Sequence, residues 1–177
     1  MEWLNEPPSW EAAGDVITVV SGAKTDFWRR THDGGTRDTG HFYHRPVTGD
    51  FRADVQVAGE YRDLYDQAGL MVRVDETTWL KCGIELVNGV PQASVVVTRE
   101  YSDWSVVPLP ANPPALGLLV TRHEGTLEVH YSVGDDPQAL LRQAFLTDSP
   151  TVSVGVMTAL PTGNGFSTRF RGLRIHT

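Results

Sequence analysis

Few stretches of ten residues in this chain escape a glycine or a proline, and that spacing constrains the fold more than any other feature. The 17 glycines and 11 prolines are spread along the whole length. Between them lie short runs rich in Val, Ile, Leu, Thr and aromatic residues, the pattern of a β-sandwich or barrel. Strands are expected over Asp15–Val20, Phe51–Val57, Ala68–Val74, Trp79–Val87, Ala93–Arg99, Leu116–His123, Leu127–Val133, Val152–Met157 and Phe166–Ile175. Asn88-Gly89 and Glu124-Gly125 each separate two β-rich runs and read as tight hairpins. Val133–Pro137 and Pro161–Gly165 read as loops. Only Pro137–Phe145 hints at helix, through Ala139, Leu140, Leu141 and Ala144, and it reads as a final turn feeding a strand. No fixed-period repeat, low-complexity segment or linker divides the chain, so residues 1–177 read as one all-β domain.

Alternation along these runs separates two faces, because neighbouring strand residues point to opposite sides of a sheet. Leu80, Cys82, Ile84 and Leu86 form one face of the central run, and Trp79, Lys81, Gly83 and Glu85 the other. Ala68, Leu70, Val72 and Val74 oppose Gln67, Gly69, Met71 and Arg73. Val95 and Val97 oppose Ser94, Val96 and Thr98, while Leu127, Val129 and Tyr131 oppose Glu128 and His130. The first set in each case is assigned to the core. The second mixes polar and aromatic side chains, which a merely solvated face does not require.

Composition narrows the partners. A hydrophobic content of 40% over 177 residues suffices for a continuous core, and a chain of this size buries roughly 70% of its unfolded surface. Cys82 is the sole cysteine, so no internal disulfide forms. A reducing, cytoplasmic setting is the expectation. The N-terminus lacks a basic region followed by an apolar one, and no apolar run reaches the roughly 18 residues of a membrane span. The net charge of −7 disfavours nucleic acid, whose phosphates demand clustered cations. Arg29-Arg30 and the group Arg169, Arg171 and Arg174 read as solvated strand residues.

Tyr65-Asp66-Gln67-Ala68-Gly69-Leu70, joined to Trp79-Leu80-Lys81-Cys82-Gly83-Ile84-Glu85, resembles a bacterial and fungal domain family of unknown function related to the fungal regulator-of-enolase proteins. Asp26-Phe27-Trp28-Arg29 and Ser102-Asp103-Trp104-Ser105 extend the resemblance to nearly the whole chain. That family belongs to the concanavalin-A-like lectin/glucanase superfamily. The resemblance implies a jelly-roll sandwich of two antiparallel sheets with a concave face, and it implies no activity. The retaining glucanases of that superfamily carry a Glu-x-Asp-x-x-Glu strand motif. This chain lacks it and offers only Glu85 in the matching region.

The candidate site is the non-core face of the central strands. Gln67, Met71, Arg73, Trp79, Lys81, Glu85, Ser94 and Thr98 would line it, with His130 and Glu128 joining from a neighbour and Trp28, Asp103 and Trp104 at the rim. Flat aromatic rings cover the C–H faces of sugars, and polar side chains fix their hydroxyls. Lys81 and Glu85, four apart on one strand, equally suit cross-strand charge pairs, and Met71 suits core filling. His41 and His44 would face opposite sides of a strand, and zinc needs three or four convergent ligands. The loop Gly134-Asp135-Asp136 lacks dedicated calcium-loop spacing. Cys82 falls on the core face as a small hydrophobe. No cofactor is expected. The first reading is a non-enzymatic module holding a carbohydrate or other small polar ligand. The second is a protein-interaction domain regulating a metabolic enzyme, and a second copy of the chain remains open as a partner. The third is a glycoside hydrolase using Glu85 with Asp66 or Asp103.

Overall fold

The computed structural model describes residues 1–110 and 113–177. Its described residues contain no helix and sixteen strands, numbered in chain order. One seven-stranded sheet runs, edge to edge, through β1 (Glu2–Leu4), β6 (His41–Thr48), β15 (Thr151–Ala159), β8 (Gln67–Arg73), β9 (Thr78–Val87), β10 (Val90–Arg99) and β11 (Tyr101–Pro108). The other, also of seven, runs through β14 (Ala139–Phe145), β13 (Thr126–Val133), β12 (Leu116–His123), β7 (Phe51–Gly59), β16 (Ser167–His176), β3 (Val16–Val20) and β2 (Ser9–Ala13). A two-stranded ribbon, β4 (Phe27–Arg29) with β5 (Thr36–Asp38), joins the ladder of neither. The pairings are antiparallel, so the chain is an all-β sandwich of two large sheets.

The turns follow from local chemistry. Asn88 and Gly89 both take positive φ between β9 and β10, as do Glu124 and Gly125 between β12 and β13. Two successive left-handed residues give the two-residue hairpin whose twist matches its strands. The Pro137–Phe145 expectation is corrected: Ala139–Phe145 is edge strand β14, paired with β13. Seven residues with a helical tint cannot outweigh a ladder offered by a neighbouring strand. The short runs Glu2–Leu4, Ser9–Ala13, Phe27–Arg29 and Thr36–Asp38, together with His41–Thr48 and Tyr101–Pro108, are strands too.

Between the sheets, Leu70, Leu80, Cys82, Ile84, Val95 and Val97 meet Val55, Val57, Leu118, Val120, Val129 and Phe170 in one buried cluster. Alternation thus assigned the core face well, with Val74 as an exception. It lies beyond the end of β8 and is exposed. Burial pushes the Cys82 thiol up to about 12, so it packs as a small apolar group.

A second apolar cluster lies on the other side of the first sheet. There Phe27 of the ribbon covers Met71, Trp79, Val96, Phe42 and Met157. The ribbon is stapled down by Arg73, whose two guanidinium nitrogens donate to both Asp38 oxygens at 2.7 and 2.8 Å. Gly69 and Gly83 face each other across β8 and β9 beside this layer. A Cβ on either would lie about 2 Å from a carbonyl oxygen of the opposite strand (1.9 Å from Cys82 O, 2.0 Å from Ala68 O), so both positions require glycine.

Candidate functional site

The ribbon covers only part of the outer face of the first sheet. Beside it a cleft of about 790 Å³ remains. Its floor carries Gln67, Lys81 and Glu85 from β8 and β9. One wall comes from the ribbon and its turn, through Asp26, Trp28, Thr31, His32, Asp33 and Arg37. The opposite wall comes from Tyr65, Ser102, Asp103 and Trp104, and Pro161 and Thr162 close an end.

The floor is held by its own bonds. Glu85 Oε2 accepts from Ser94 Oγ at 2.6 Å and from Trp104 Nε1 at 2.9 Å. The carboxylate therefore fixes the indole that forms the wall. Lys81 Nζ donates to Phe27 O at 2.6 Å and Gln67 Oε1 at 2.5 Å, and lies 3.6 Å from Asp26 Oδ1. Its aliphatic stem is buried, and its ammonium sits 5.7 Å from the Trp79 ring centroid. Lys81 and Glu85 thus do not pair with each other; each has its own partners. The sequence interval could not show this, because the partners come from the ribbon segment and from β8, β10 and β11.

The walls are equally fixed. Trp28 Nε1 donates to Thr31 O at 2.7 Å, which pins the ring to the ribbon turn. Tyr65 meets Trp104 edge-on with centroids 6.2 Å apart. Tyr65 (φ 68°) and His32 (φ 76°) both hold left-handed backbone conformations. For such side chains these are strained, and strain of this kind gathers where a precise surface is needed. Asp33 is bonded to Arg37, which holds its carboxyl below the usual range.

The residues expected from sequence separate into three groups. Trp28, Gln67, Lys81, Glu85, Asp103 and Trp104 border the cleft. Ser94 lies buried behind it as a partner of Glu85 and Trp104. Met71, Arg73, Trp79 and Thr98 lie outside it: Met71 and Trp79 are sealed under Phe27, Arg73 is paired to Asp38, and fully buried Thr98 bonds Ser102. His130 and Glu128 stand on β13, in the other sheet, with the core between them and the cleft. Alternation distinguishes inward from outward but not one sheet's outer side from the other's. Asp26, Thr31, His32, Asp33, Arg37, Tyr65, Ser102, Pro161 and Thr162 were not singled out. The available signal was the Asp26–Arg29 piece, whose three strand residues are too few to show a period.

The carboxylates considered alongside Glu85 are turned elsewhere. Asp66 is fully buried and accepts the Arg62 and Asp63 N–H groups at 2.8 and 2.9 Å, and burial raises its pKa. Asp103 sits opposite Val97 in the register and reaches Arg142 of the other sheet at 3.2 Å. The second carboxylate near the cleft floor is instead Asp26 of the ribbon wall, beside Lys81 and 3.4 Å from Gln67 Nε2. His41 and His44 do not converge either: His41 bonds Gly22 N and Asn5 O, and His44 stacks on Phe42. No group of three His, Cys, Asp or Glu side chains placed to hold a metal occurs among the described residues. No helix there is long and apolar enough to cross a membrane.

The profile of the DUF1349 family, described as a protein of unknown function, matches residues 3–177. A Saccharomyces cerevisiae protein named Regulation of enolase protein 1 is 40% identical over 168 residues, covering 95% of this chain and 85% of the yeast protein. An uncharacterized Emericella nidulans protein is 25% identical over 171 residues, covering 92% of this chain and 86% of its own length. The crystal structure of a functionally unknown S. cerevisiae protein superposes with a TM-score of 0.95 at 38% identity, over 99% of this chain and 95% of that one. The GH43 BlXynB protein of Bacillus licheniformis shares the fold, with a TM-score of 0.71 at 16% identity over 96% of this chain and 35% of the larger protein.

Proposed function

The chain belongs to the DUF1349 family, and from that premise we propose that its cleft is the binding site of a non-enzymatic module for a carbohydrate or other small polar ligand. The observation that carries this reading is a cleft of about 790 Å³ walled by two anchored tryptophans, Trp28 and Trp104, over a polar floor. That volume lies in the range of small-molecule sites. The rings offer apolar faces to C–H groups, and Gln67, Lys81, Glu85 and Asp26 stand where hydroxyls would bond. The bonds among Gln67, Lys81 and Asp26, and those of Glu85 to Ser94 and Trp104, set the geometry before a ligand arrives, which lowers the entropic cost of binding. The single, buried cysteine suits a cytoplasmic setting.

A glycan array followed by calorimetry tests the proposal, with Trp104→Ala as the control. The expected result is binding that weakens at least about tenfold in the variant, the loss expected on removing an aromatic anchor. Silence across sugars and other small polar compounds removes the reading, and so does binding that ignores Trp104→Ala.

The name of the yeast relative favours a second reading, in which this face docks a metabolic enzyme it regulates. Co-elution of the purified chain with enolase on a sizing column supports it, and elution as two independent species counts against it.

A further inference from the structure

The charges around the cleft are answered one by one, with a single exception. Arg37 answers Asp33. Lys81 answers Asp26 at 3.6 Å, and Asp103, whose carboxylate turns away toward the other sheet, is answered there by Arg142 at 3.2 Å. Glu85 has no cation within 4.0 Å among the described residues. Its Oε2 takes two hydrogen bonds from neutral donors, Ser94 and Trp104. Its Oε1 takes none from any described residue; the residue is 7% exposed and lies on the cleft floor, and Oε1 is not among the buried atoms left without a partner, so it opens on the cleft. A carboxylate so largely buried and without a counter-ion leaves a negative charge that a cation brought to its open oxygen would offset. Lys81 cannot serve, because its ammonium is held by Phe27 O and Gln67 Oε1 on its way to Asp26.

We propose that Glu85 Oε1 receives a protonated amine of the ligand, so that the cleft selects an amine-bearing polyol, such as an amino sugar, over its neutral counterpart. This rests on the reading of the cleft as a small-ligand site and names the class of ligand. The aromatic walls suit it as well, since Trp28, Tyr65 and Trp104 border the same cleft, and an aromatic face attracts a cation placed over it. An anionic ligand, such as a sugar phosphate, meets the opposite situation. The cleft's two cations are already paired, and its one unpaired charge is negative.

The test uses three tetrasaccharides of similar length in low salt at pH 6. They are the β-1,4 tetramer of glucosamine, its fully N-acetylated form and cellotetraose. Affinities are measured by calorimetry on the intact chain and on Glu85→Gln, with circular dichroism checking that the variant is folded. The expected result is a preference of about tenfold or more for the glucosamine tetramer, the factor a hydrogen bond to a charged group supplies. In Glu85→Gln that preference collapses towards parity. It also shrinks in high salt, even without a variant. Equal or tighter binding of cellotetraose overturns the amine proposal while leaving the carbohydrate reading in place. A preference unchanged in folded Glu85→Gln overturns the assignment to Glu85. Binding of none of the three removes the amine proposal and weakens the carbohydrate reading with it.

Discussion

At the scale of single residues, the most informative side chains outside the cleft are the two histidines of β6. His41 Nδ1 donates to Asn5 O at 2.6 Å, and its Nε2 accepts the Gly22 N–H at 2.9 Å. That arrangement needs the neutral ring, since protonating Nε2 destroys the acceptor. Burial holds the His41 pKa below the usual 6.5, with the Asn5 carbonyl opposing only in part. Burial does the same for His44. The unfolded chain therefore takes up a proton at a pH where the folded chain does not. The stability from the neutral rings is fully present above about pH 6.5 and is lost as pH falls below it. Asp66, raised by burial, acts with the opposite sign nearer the carboxylate range. The melting temperature should thus fall as pH drops below about 6.5, while exposed His123, whose pKa the Asp50 carboxylate raises, contributes a stabilisation that fades as pH rises above it. In His41→Gln the fall should be shallower. An equal slope in both proteins would assign the titration elsewhere.

At the scale of elements, the ribbon decides what the outer face of the first sheet becomes. Where Phe27 covers it, Met71 and Trp79 are a second core; where the ribbon stops, the same face is a cleft. Each ribbon strand has three residues, so its own ladder is marginal. Its anchors include Phe27, the Lys81 Nζ bond to Phe27 O, the Arg29 N–H to Ser102 Oγ bond at 2.9 Å, and the Arg73–Asp38 pair. Removing Asp38 leaves the Arg73 guanidinium, about a tenth exposed, without its partner. Breaking a buried pair from one side costs about 3–5 kcal/mol, reduced here because Asp38 is a quarter exposed. Asp38→Asn should cost about 2 kcal/mol in urea unfolding, while Asp38→Asn combined with Arg73→Met should recover part of it. A double variant as destabilised as the sum of the singles would show that the pair does not couple.

At the scale of the molecule, what the sequence revealed and what it hid divide along the same line. The sandwich and its core were legible because alternation and turn residues are local signals. Leu80, Cys82 and Ile84 declare their side without reference to any other strand. The cleft was half legible. Gln67, Lys81, Glu85 and Trp104 were in view, but what covers Trp79 and leaves Glu85 at an open cleft is a ribbon folded across from residues 27–38, a long-range packing event that no local period records. The same division predicts how the molecule opens. β8, β9 and β10 lie inside a sheet with ladders on both sides, whereas the ribbon has one partner per strand. Stability is uneven in such a structure, and its least supported unit opens first. Ribbon amides such as Trp28 should exchange with deuterium well before those of Leu80 or Ile84, by a factor of about a hundred or more, corresponding to roughly 3 kcal/mol between local and global opening. A saturating cleft ligand touching Trp28 should slow ribbon exchange toward that of the central strands, because opening the ribbon would release it. Ribbon amides as protected as the central strands in the free protein would mean that the cleft wall opens only with the whole sandwich, and the ligand would then slow both together.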